Sequence, residues 1–71
     1  EANDKVINLA EKIAVMGIKP KDALHIACAV VADCEYFITT DSKILNKGIK
    51  DIKLTDPIGF IKLEEDNYND D

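Results

Sequence analysis

One stretch limits what this chain can fold into more than any other. From Ala23 to Ala32 the sequence reads ALHIACAVVA, and His25 is its only strongly polar residue. A helix that is apolar on nearly all sides is a helix buried on nearly all sides. It calls for a sheet on one face and other helices around it. The chain has 71 residues, enough for one small domain at most, and a core of that size is marginal without further support. With 46% hydrophobic and 32% charged residues the composition is globular. No stretch approaches the ~18 uncharged apolar residues of a membrane span. Neither a signal peptide nor an initiator Met is present, so the chain reads as an excised or processed segment.

The remaining elements follow from periodicity and punctuation. Asn3 is a candidate N-cap for a helix running to Met16, in which Val6, Leu9, Ala10, Ile13 and Ala14 form one stripe. Gly17 suits the left-handed position that ends helices, and Ile18 can fold back on Ile13. Pro20 suits the first position of the apolar helix, which should run to about Asp33. Tyr36–Thr40 is aromatic and β-branched, as a strand of a buried parallel sheet should be. Thr40 to Asp51 is just long enough for a crossover helix, capped by Asp41 or Ser42, with Ile44 and Leu45 inward and Gly48 at its end. Ile52–Leu54 reads as the next strand. Asp56-Pro57 is a cap followed by a first helical position, with Ile58, Phe60 and Ile61 supplying apolar contacts. The expected order is α-α-β-α-β-α, an α/β arrangement over residues 1–63, with 64–71 as an acidic flexible tail. Two strands are too few to cover such an apolar helix, so the chain reads as the second half of a larger α/β domain.

Two carboxylates return to one edge in this arrangement. A helix from Pro20 to Asp33 is roughly 21 Å long, and a strand over Tyr36–Thr40 covers roughly 16 Å. With the strand antiparallel to the helix, its end lies near the helix start. Asp22 sits in that first helical turn and Asp41 just past the strand, where open α/β sheets place ligands. Hard divalent cations take carboxylate oxygens of this kind. From the residues alone the plain reading is the stronger: Asp22 complements the helix dipole and Asp41 is an N-cap.

The ordered set Asp22-Ala23-Leu24-His25-Ile26-Ala27, Phe37-Ile38-Thr39-Thr40-Asp41, Ile52-Lys53-Leu54 and Asp56-Pro57 with Phe60-Ile61 resembles the C-terminal half of a PIN domain, over about Gly17 to Leu63. The resemblance implies the C-terminal part of a three-layer fold with a short parallel sheet. It also implies a metal-dependent ribonuclease, many of whose relatives are VapC-like toxins of toxin–antitoxin pairs. Asp22 and Asp41 match the family's third and fourth acidic positions and would be both catalytic and metal-holding, with Mg²⁺ or Mn²⁺ as cofactor. Thr39 and Thr40 would support the acidic cluster or a substrate phosphate, although strand propensity and capping explain them equally well. The family's first strand with its acidic residue, and a later helical Glu, would precede residue 1. The implied partners are an RNA substrate, an antitoxin protein and a second copy in a homo-oligomer, with no membrane and a cytoplasmic location. The 71-residue piece alone is expected to be inactive, since two carboxylates make a poor cage for a hard cation. The competing reading is a non-catalytic interaction module or dimerising half-domain, in which the acids are caps and the apolar surface serves a partner.

The net charge of −5 argues against nucleic-acid binding through a basic patch. Glu64, Glu65, Asp66, Asp70 and Asp71 together equal that excess, so the rest of the chain is neutral. Lys19, Lys21 and Lys43 lie near the proposed edge, where they can meet phosphates as point charges or simply face water. Cys28 and Cys34 read as reduced thiols, Cys28 as a small hydrophobe within the apolar helix. His25, three residues after Asp22, reads as a satisfied, partly buried histidine rather than a ligand. A zinc site from His25, Cys28 and Cys34 lacks a fourth ligand and any recognised spacing.

Overall fold

The computed structural model describes residues 3–68. The elements are α1 (Asn3–Val15), α2 (Pro20–Val31), β1 (Tyr36–Ile38), α3 (Ser42–Leu45), β2 (Lys53–Thr55) and α4 (Pro57–Tyr68). Four helices accompany one two-stranded parallel sheet, a small α/β arrangement.

Helix α1 ends where its glycine stands: Gly17 has φ +100° and donates its N–H to the Ala14 carbonyl at 2.9 Å. The chain then turns immediately into α2, and the two helices pack along each other. Ile13 and Ile18, on either side of the turn, are both buried in the core with Ala23, Ile26 and Ala27 of α2. Pro20 opens α2 at its first turn, where a missing N–H costs nothing.

Helix α2 stops two residues short of Asp33, and the way it stops sets the direction of β1. Asp33 takes a left-handed conformation, φ 64°. Its N–H bonds to the Val30 carbonyl at 3.0 Å, and that of Cys34 reaches back to the Ala29 carbonyl at 2.9 Å. This pair of bonds is the Schellman termination, with Asp33 in the position glycine usually fills. The chain reverses there and enters β1. Phe37 packs on the core cluster, while Tyr36, pointing to the other side of the strand, meets Phe60 of α4.

Strand β1 is shorter than the sequence suggests, ending at Ile38 rather than Thr40. It pairs with β2 in parallel, Tyr36 against Lys53, Phe37 against Leu54 and Ile38 against Thr55. The ladder extends one bond at each end, Lys53 N–H to Glu35 carbonyl at 3.1 Å and Thr39 N–H to Thr55 carbonyl at 2.9 Å.

The crossover also departs from expectation. Only Ser42–Leu45 are helical, and Gly48 turns with φ 65° in the loop beyond them. Ile44, Ile49 and Ile52 are all buried. Ile44 lies on the single helical turn, and Ile49 and Ile52 are buried from the segment beyond it.

In α4 the capping signal holds: Asp56 Oδ1 accepts the Gly59 N–H at 2.6 Å, and Pro57 leads the helix. The helix continues past Leu63 to Tyr68, taking in the first part of the segment read as a flexible tail; residues 69–71 lie outside the described residues. Ile58 and Ile61 were expected inside, yet they are 67% and 56% exposed, and Phe60 alone of the three turns inward.

Burial on α2 is one-sided. Ala23, Ile26 and Ala27 are buried, whereas Leu24 and Val31 are exposed. Cys28, expected inside, is exposed, as is Cys34, and both are free thiols. His25, expected to be partly buried, is exposed as well. His25 and Cys28 lie on the exposed face of α2, and Cys34 in the turn that follows it. No helix in the described residues is long and apolar enough to cross a membrane.

Candidate functional site

The first turn of α2 begins at Pro20, and the C-terminal end of β1 is Ile38. Asp22 occupies the former, half-buried; Asp41 lies just beyond the latter, exposed. α2 has no side-chain cap, since Lys19 stands at its N-cap and makes no such bond. Asp22 is the acidic residue of that first turn, in the field of the helix dipole.

Asp41 is held from both sides. Its N–H donates to the Thr39 hydroxyl oxygen at 3.1 Å, and its Oδ1 accepts the Lys43 N–H at 2.9 Å. The second bond is the N-cap of α3, which decides between Asp41 and Ser42 as the capping residue. The first ties the capping residue to the strand end. One carboxylate oxygen of Asp41 therefore has a structural duty, and Oδ2 makes no hydrogen bond among the described residues.

Thr39 and Thr40 part company. Thr39 is half-buried and bound twice, through its backbone N–H to Thr55 and through its hydroxyl to Asp41. Thr40 is exposed. Sequence reasoning weighed the two hydroxyls alike; the strand's alternation is the signal that separates them, because successive side chains point to opposite faces.

Chemically the edge offers oxygen ligands, which suit a hard divalent cation better than a soft one. It offers few of them. No group of three or more His, Cys, Asp or Glu side chains able to hold a metal occurs among the described residues. His25, Cys28 and Cys34 form no such group either. Lys19, Lys21 and Lys43 are exposed, with Lys19 and Lys21 flanking the start of α2 and Lys43 following Asp41.

Elsewhere, an open apolar groove of about 340 Å³ runs between α1 and α2, lined by Ile7, Ala10, Glu11, Ala14, Pro20 and Leu24. It holds no candidate catalytic residue. Comparison with protein-family models, with curated proteins and with solved structures returned no match.

Proposed function

We propose that this chain is part of a metal-dependent ribonuclease of the PIN type, with Asp22 and Asp41 as its contribution to the metal site. The observation that carries the reading is Asp41: a carboxylate fixed at the carboxyl end of a parallel strand by the Thr39 hydroxyl and the Lys43 N–H, with one oxygen left over. Open α/β sheets bind their ligands at that end of their strands. The donor set fits Mg²⁺ or Mn²⁺ in kind though not in number, so further carboxylates from the rest of an intact domain belong to the proposal. A cation held there supplies an activated water and charge neutralisation at an RNA phosphodiester. Asp22 and Asp41 hold the cation, Thr39 keeps Asp41 in place, and Lys19, Lys21 and Lys43 offer positive charge to the RNA backbone. A toxin paired with an antitoxin protein, acting in the cytoplasm, is the setting the resemblance suggests.

The test is Asp41→Asn in the full-length protein. Asn caps a helix about as well as Asp, so the fold should survive while RNA cleavage is abolished. Unchanged cleavage would remove the assignment.

A second reading has its own support. Leu24, Val31, Ile38, Ile58 and Ile61 are exposed, and the α1–α2 groove is open and apolar. Such surface marks interaction sites. On this reading the 71 residues form a non-catalytic module or dimerising half-domain, and the two aspartates are caps. Purified alone, the 71-residue chain should then show no nuclease activity. Cleavage that is lost with EDTA and with Asp22→Asn would overturn that reading.

A further inference from the structure

No further inference is drawn: the strongest candidate, the open apolar groove between α1 and α2 walled by Ile7 and Leu24, carries nothing because no feature of the structure shows what covers it.

Discussion

The rings of Tyr36 and Phe60 meet edge to face, with centroids 5.4 Å apart and planes at 76°. This contact joins α4 to β1, the strand farther from it in sequence, and not to β2, which it directly follows. Ile58, Ile61 and Leu63 are exposed, so among the described apolar side chains of the helix Phe60 is the one that turns inward. Edge-to-face pairs contribute about 0.5–1.5 kcal/mol beyond the area they bury. Phe60→Ala should therefore release α4 while leaving the α1–α2 core intact. Circular dichroism should show helix loss, and amide exchange should rise over residues 57–68 and stay low over α2. Equal loss of protection in both regions would mean that α4 is integral to the core.

Asp41 has two separable duties, and two substitutions divide them. Asp41→Ala removes the cap and should cost about 1 kcal/mol in urea unfolding. Asp41→Asn keeps the cap and should leave stability within about 0.5 kcal/mol of the parent. If Asp41 is a metal ligand as proposed, both should weaken Mn²⁺ binding by the intact protein roughly tenfold or more, read by titration calorimetry. If Asn binds Mn²⁺ as well as Asp, the carboxylate is a cap and nothing else.

Thr39 should act through Asp41. Thr39→Ser retains an acceptor for the Asp41 N–H and should be nearly silent. Thr39→Val removes it and should cost about 1 kcal/mol. Thr40, exposed beside it, should tolerate Val with little change. A Thr40→Val penalty matching that of Thr39→Val would show that the hydroxyl bond is not the source.

Gly17 resists substitution for two reasons of unequal weight. Its φ of +100° is strained for any other residue, and a Cβ there would stand 3.0 Å from Lys47 Nζ. The ammonium is the far end of a flexible chain and can move away; the backbone cannot. Gly17→Ala should cost about 1–2 kcal/mol, and Lys47→Ala should recover little of it. Full recovery in the double variant would assign the cost to the side-chain contact.

Gly59 sets helix propensity against capping geometry. Alanine in a helix is favoured over glycine by about 1 kcal/mol. A Cβ at Gly59, however, would lie 2.6 Å from Thr55 Oγ1 and 2.8 Å from Asp56 Oδ1, the very atom that caps α4. Gly59→Ala should thus lower the thermal midpoint rather than raise it. A higher midpoint would mean that the cap yields without loss.

Much of this architecture is legible in the residues because the signals are local. Gly17, Pro20 and Asp56-Pro57 mark element ends through backbone chemistry that operates wherever they occur. Ile13 and Ile18 find each other because a single turn separates them. The parallel pairing of β1 with β2 follows from the length of chain between them. What was not legible depends on distant surfaces. The apolarity of α2 does not say which face is covered, and Leu24, His25 and Cys28 came out on the open side. In the crossover, the helix ends at Leu45, before the Gly48 that marks its end in the sequence, and Ile49 and Ile52 are buried from the segment beyond it. For α4, polar residues after Leu63 suggested an end, yet Glu is a good helix former and needs no core to continue a helix already started. At the candidate site, types and order of residues pointed to Asp22 and Asp41, whereas the division of labour between Thr39 and Thr40 needed the strand in place.

The turn at Asp33 closes its own hydrogen bonds and leaves the connection between α2 and β1 with little slack. Phase, and not merely distance, then governs how Asp22 stands to everything beyond the turn. One residue inserted within α2 would swing Asp22 about 100° around the helix axis relative to everything that follows. An insertion among residues 46–51, where the chain is irregular, would leave both aspartates in register. The bearing of Asp22 on everything after the turn is thus indexed by the number of helical residues of α2 that follow it.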